Sequence, residues 1–111
     1  MLPENLTAII ARNETWTGQA ATEPYEAGWA REAIVFVRAL KAPKGPLPPA
    51  RIEISADGMH WAAEGSQFAL PAAENAVTFQ RVAHFGGFLR VAAALPEGAE
   101  ITVLVSLHLK A

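Results

Sequence analysis

Arg51-Ile52-Glu53-Ile54-Ser55-Ala56-Asp57-Gly58-Met59-His60-Trp61-Ala62-Ala63-Glu64 decides how this chain is read. Ile52, Ile54 and Ala56 alternate with Arg51, Glu53 and Ser55, the period of two of a strand with one dry face. Asp57-Gly58 follows. Asp-Gly between alternating runs marks a hairpin, because glycine accepts positive φ without a Cβ clash and aspartate tolerates it better than most residues. An even loop puts Ile54 opposite Trp61, Ile52 opposite Ala63 and Arg51 opposite Glu64. Apolar then meets apolar and opposite charges meet. The expectation is an even loop with Trp61 on the face of Ile54, and Asp57, Gly58 and Trp61 as the residues that define the turn.

Working outward, the same period recurs. Leu89, Val91, Ala93 and Leu95 alternate with Arg90, Ala92 and Ala94. Pro96-Glu97-Gly98 then forms a turn, and Ile101, Val103, Val105, Leu107 and Leu109 close the chain with its cleanest alternation. Phe85-Gly86-Gly87-Phe88 reads as a tight corner. Val77 and Phe79 share a face with which Val82 is out of phase, so a bulge or turn near Gln80-Arg81 is expected. Residues 65–75, with Phe68, Leu70 and Pro71, read as a strand end and a loop.

Towards the N-terminus the pattern is less regular. Residues 6–12 form a first strand, broken at Asn13-Glu14, and residues 14–28 an irregular strand and loops carrying Trp16 and Tyr25. Residues 29–40 fit two periods. Trp29, Ala33, Phe36, Val37 and Leu40 make a helical face, whereas Ile34-Val35-Phe36-Val37 is β-branched and aromatic and favours a strand. Residues 41–50 contain four prolines and one glycine. Proline cannot donate to a ladder, so this is a stiff connection across an edge or between sheets.

Seven or eight short strands separated by turn signals predict an all-β, antiparallel jelly-roll-like β-sandwich. A chain of 111 residues, half of them hydrophobic, fits one domain with a real core. The net charge of −2 gives no electrostatic reason to expect nucleic acid or an acidic membrane surface. No apolar run approaches the ~20 residues that span a bilayer. There is no cysteine, hence no disulfide or thiolate metal site. Met1-Leu2-Pro3-Glu4-Asn5 lacks the basic and apolar regions of a signal peptide, so the expected place is the cytoplasm or a particle assembled there.

The Ser55-Ala56-Asp57-Gly58-Met59-His60-Trp61 hairpin resembles small jelly-roll domains of phage virion and tail-associated proteins and of carbohydrate-binding accessory modules. Phe88-Leu89-Arg90-Val91 is similar to their aromatic-x-Arg-Val strand, and residues 98–109 to their last strand. The resemblance covers residues 50–111. The hairpin is also similar to the sialidase Asp-box, Ser-x-Asp-x-Gly-x-x-Trp. Here the residue between Asp and Gly is missing and the motif occurs once, so no sialidase activity follows from it.

Chemistry-bearing groups give no catalytic pattern. His60, His84 and His108 lie 24 residues apart, and regular strands could bring them to one sheet, but no short-spaced metal signature accompanies them. The expectation is three sheet-face histidines, with no metal and no cofactor. Ser55, Ser66 and Ser106 lack a nucleophile elbow, so no enzyme is expected. Trp16, Tyr25 and Trp29 sit in or beside polar loops, where sandwiches bind ligands and where flat rings suit sugars. They are the candidate ligand-binding residues of a carbohydrate-binding module; the competing reading is that large rings such as Trp29 and Trp61 pack in the core of so small a domain. Ala92, Ala94 and Leu104 fall on faces that an isolated sandwich keeps polar, so something is expected to cover them: another sheet layer, the proline-rich connection or a second copy of the chain, of which self-association of a structural module is the favoured reading.

Overall fold

The structure, a computed structural model, describes residues 5–111; the reading of residues 1–4 lies outside them. Nine strands form two antiparallel sheets: β1 (Asn5–Trp16), β2 (Gln19–Ala21), β3 (Tyr25–Glu26), β4 (Glu32–Ala39), β5 (Pro49–Ser55), β6 (Ala62–Ala69), β7 (Val77–Ala83), β8 (Phe88–Ala94) and β9 (Ile101–Lys110). One sheet has the order β1-β9-β4-β7. The other runs β2-β8-β5-β6, with β3 also on β8. The chain changes sheet at every connection except β2–β3 and β5–β6, the crossing-over of a jelly-roll-like sandwich.

The alternation in the sequence explains the core. Ile101, Val103, Val105, Leu107 and Leu109 of β9 and Ala33, Val35, Val37 and Ala39 of β4 point inward. They meet Ile52, Leu89, Val91 and Ala93 of the second sheet in one cluster. β9 is central, paired with β1 on one side and β4 on the other. Residues 32–39 are thus a strand, as their β-branched content favours, with neighbours on both edges.

Three expectations need correction. First, the hairpin loop is odd. The last register pair is Ile54 with Ala62, so residues 55–61 lie between them. Ile54 packs against the core, while Trp61 lies over Arg90 on the other face. The register shifts again beyond Glu53↔Ala63, where Ile52 stands opposite residues 64–66 and Gly65 takes φ 117°. Second, Asn13-Glu14 does not end the first strand. β1 continues to Trp16 through two register shifts, with Asn13 at φ 52°, a left-handed conformation that asparagine tolerates. Third, β7 has no bulge. Its register with β4 is unbroken, and Val77 and Phe79 point outward while Val82 points in.

The proline-rich connection runs between sheets. Lys44 and Glu100 exchange both backbone hydrogen bonds at 2.9 Å. Gly45, at φ 72°, passes so close to the Pro96–Gly98 turn that a Cβ there would lie 2.5 Å from the Gly98 carbonyl oxygen. Between β2 and β3, where Pro24 has no N–H to give, Thr22 completes the edge. Its N–H donates to the Val91 carbonyl (2.9 Å) and its Oγ1 accepts from the Val91 N–H (3.0 Å).

Candidate functional site

The outer face of the four-stranded sheet departs from what a solvated sheet requires. Register places Ile9, Ser106, Phe36 and Phe79 in one row across all four strands. The next row holds Leu104, Arg38 and Val77; on the other side run Thr7, His108, Ile34 and Arg81. Ile9, Val77 and Phe79 are 40%, 53% and 49% exposed. Antiparallel sheets with one wet face put polar side chains there; here that face is apolar along its middle. The Phe36 and Phe79 rings are tilted with centroids 5.9 Å apart, and His108 meets Phe36 edge-on at 5.1 Å. The Arg81 guanidinium lies 5.2 Å over the Phe79 ring. β7 has its polarity reversed: Thr78 and Gln80 share the inner side with Val37 and Val35, and the Thr78 hydroxyl is buried without a hydrogen-bond partner. The face ends in a shallow cleft of about 410 Å³ lined by Glu32, Ile34, Arg81, His108 and Lys110.

Leu104 lies on this outer face, half-buried, as the sequence implies. Ala92 does not serve the same argument. It pairs with Arg51 and Ala21 and is closed over within the monomer, so nothing more is needed to cover it; Ala94 is exposed.

A second set of polar groups organises the hairpin. The Ser55 hydroxyl accepts from the Asp57 and Gly58 N–H groups (3.2 and 2.8 Å) and donates to Asp57 Oδ1 (2.9 Å). Asp57 Oδ1 also accepts from the N–H groups of Met59 and His60, both at 2.8 Å, and Oδ2 lies 2.6 Å from His60 Nδ1. The His60 N–H and ring, with the Met59 N–H and the Ser55 hydroxyl, hold the Asp57 carboxyl far below the usual carboxylate range. Gly58 turns the chain at φ 81°, and the Asp57 carboxylate bonds the backbone that follows it. Behind the loop, Glu53 is 8% exposed between two arginines, with Arg51 Nε at 2.9 Å and Arg90 Nη2 at 2.7 Å. Burial pushes the Glu53 carboxyl up, but the hydrogen bonds and charges of Arg51 and Arg90 outweigh it and the net direction is down. Trp61 stacks on the Arg90 guanidinium at 4.1 Å. Every member has a partner, so the network fits a brace better than a reactive centre.

The three aromatic residues expected to bind a ligand are not together. Trp16 pairs with Ile101 at the start of β9 and is 3% exposed, its Nε1 donating to Glu14. It belongs to the core, which removes it as a surface platform. Tyr25 and Trp29 are at the other end, where Arg31 bonds the Lys110 carbonyl and Ala27 bonds that of Gly87. Both are half-buried against the core, as is Phe85. The Ser55 hairpin lies at this same end, with Gly58 against the Phe88 ring.

The histidines separate as well. His60 is held by Asp57, His84 occupies a corner at φ 58°, and His108 lies in β9 with Nδ1 3.2 Å from Thr7 Oγ1. Among the described residues no three or more His, Asp or Glu side chains gather as a metal site. What sequence reasoning missed is the Ile9–Phe36–Phe79 row. The signal was present in the phase conflict between Val77, Phe79 and Val82.

No protein-family model and no curated protein sequence matches this chain. Solved structures do match in fold. The chain is similar over its whole length, and 96% of the other, to the SPBc2 prophage-derived protein YomS, with TM-score 0.64 and 12% identity. It is similar to a chain of Bacillus endospore appendages, described as disulfide-linked pili, covering 98% of this chain and 90% of that one (TM-score 0.52, 10% identity). It is similar to CpGH89CBM32-5 from Clostridium perfringens, seen in complex with GalNAc-β-1,3-galactose, covering 93% and 94% (TM-score 0.50, 11% identity). The jelly-roll likeness to phage proteins and carbohydrate-binding modules, suggested by the hairpin, holds at the level of fold.

Proposed function

We propose that this chain is a non-enzymatic structural module that self-associates, as a building block of a phage-like or other particle. The observation that carries this reading is the outward-facing apolar group of Phe36, Phe79 and Val77, with Ile9 beyond Ser106 in the same row. Solvated monomers keep such patches small, and a contiguous one rimmed by Arg38, Arg81 and Lys110 marks a contact surface. Four strands and seven residues make a face of roughly 19 by 23 Å. Two such faces cover roughly 900 Å² in projection, near the low end of specific interfaces. Association is therefore expected in the micromolar range and to reverse on dilution. With no cysteine, it is non-covalent. The fold likeness to a prophage-derived protein supports the particle setting. Sedimentation velocity across micromolar concentrations tests the reading: a mass that rises with concentration supports it, and a monomer throughout overturns it.

A second reading, a carbohydrate-binding module, rests on Tyr25 and Trp29 sharing one loop end with Phe85 and the hairpin. The likeness to CpGH89CBM32-5 lends it fold-level support. A glycan array read by tryptophan fluorescence tests it. Binding that survives Trp29→Ala sinks the assignment of the site.

A further inference from the structure

We infer that β7 is the edge through which two copies pair, antiparallel about Gln80, joining two four-stranded sheets into one of eight strands; this rests on the self-association reading above. The phase of the β4–β7 ladder is set by one bond. The Ala39 N–H donates to the Ala76 carbonyl at 3.1 Å. Hydrogen-bonded and open pairs alternate in an antiparallel ladder. Thr78, Gln80 and Val82 therefore spend their backbone groups on β4, opposite Val37, Val35 and Ala33. Val77, Phe79, Arg81 and Ala83 direct theirs away from the sheet.

An edge of this kind is what natural sandwiches avoid. The other edges of this molecule are blunted. β1 carries two register shifts, β6 carries one at Gly65, and β2 and β3 are interrupted at Pro24. β7, VTFQRVA, has an unbroken register, no proline, no glycine and a single charge. Among the described residues the one side-chain hydrogen bond to its free edge is from Gln80, whose Nε2 donates to the Arg81 carbonyl at 2.8 Å.

The sequence of β7 selects a register. A two-fold axis at Gln80 sets Phe79 opposite the partner's Arg81, Val77 opposite the partner's Ala83 and Thr78 opposite the partner's Val82. No like charges meet, all four outward residues bond, and each Phe79 gains a cation–π contact from the neighbouring strand. An axis at Arg81 faces two guanidiniums directly. An axis at Phe79 leaves Ala83 without a partner. About Gln80, the row Ile9–Ser106–Phe36–Phe79 of one copy runs on into the partner's Arg81, the partner's Ile34 and the partner's His108, with the two Phe79 side chains on the diagonal, so the pairing extends the outer face and leaves it free for the face contact proposed above.

Amide exchange by NMR on the native protein, with sedimentation on the same samples, tests this. Phe79 and Arg81 amides should exchange freely when dilute and slow by about tenfold or more on self-association, while Thr78 and Gln80, bonded to β4, stay protected throughout. A single Gln80→Cys variant, in a chain with no other cysteine, should form a disulfide dimer under mild oxidation. A Ser106→Cys control at the sheet centre should not. Fast exchange at Phe79 and Arg81 in samples that sediment as oligomers overturns the β7 edge and leaves self-association standing. A monomer at every concentration overturns both.

Discussion

Glu53→Gln keeps the shape of the side chain and removes its charge. Glu53 accepts one charge-assisted bond from Arg51 and one from Arg90, at 2.9 and 2.7 Å. A bond to a charged group contributes about 1.5–3 kcal/mol. The two arginine side chains remain 32% and 25% exposed, so solvent screening reduces each bond to about 1 kcal/mol. The pair together contributes about 2 kcal/mol. At ~2.1 cal/mol/K per residue, 111 residues unfold with an entropy of about 230 cal/mol/K, so the variant should melt about 9 °C below the native protein at pH 7. The sign with pH follows from the depressed carboxyl of the folded state. Its stabilisation is fully present above the ordinary glutamate pKa and fades as pH falls through the lower folded value. Circular dichroism melts at neutral and acid pH should show the gap between the two proteins closing in acid. Equal melting at neutral pH, or a gap that persists undiminished in strong acid, would refute the account of Glu53 as a charge-paired brace.

Other expectations follow from burial and backbone geometry. Trp16→Ala should cost about 3 kcal/mol, the low end for a core tryptophan because β1 is an edge strand, and lower the melting point by about 13 °C. A melt within a degree or two of native would return Trp16 to the surface. Thr78→Val removes a buried hydroxyl without a partner and should raise stability by about 1 kcal/mol in urea titration. Gly45→Ala meets both a positive φ and a backbone oxygen 2.5 Å from the new Cβ, so a loss of about 2 kcal/mol or more is expected by the same titration.

The parts of the fold legible in the sequence are those where one period dominates. β9 and β8 announce themselves because each alternate residue is apolar and buried. The strand at 32–39 was decided by Ile34-Val35-Phe36-Val37, whose branching suits a pleated surface more than a helix. The hairpin was located but its register was not. The side chains of Ser55 and Asp57 take over backbone bonding inside the loop and lengthen it, which an alternating pattern cannot reveal. Trp16 was misplaced because its polar neighbours look like a loop, whereas Asn13 keeps the strand going through a left-handed residue. The apolar outer row was hidden for another reason. Pattern reading assumes that oily side chains face inward, and β7 breaks that rule. Such conflicts between local pattern and global fold are where functional surfaces are expected.

The position of β9 bears on how the molecule comes into being. β9 is one of the two inner strands of its sheet, and among the described residues it alone gives β1 a neighbour. During synthesis, β1 leaves the ribosome well before residues 101–110 and must wait for them before it can dock. Completion of that sheet is thus withheld until residues 101–110 have emerged. A nascent chain stalled before Ile101 would leave β1 without its link to β4, so a partly made copy would present an incomplete sheet.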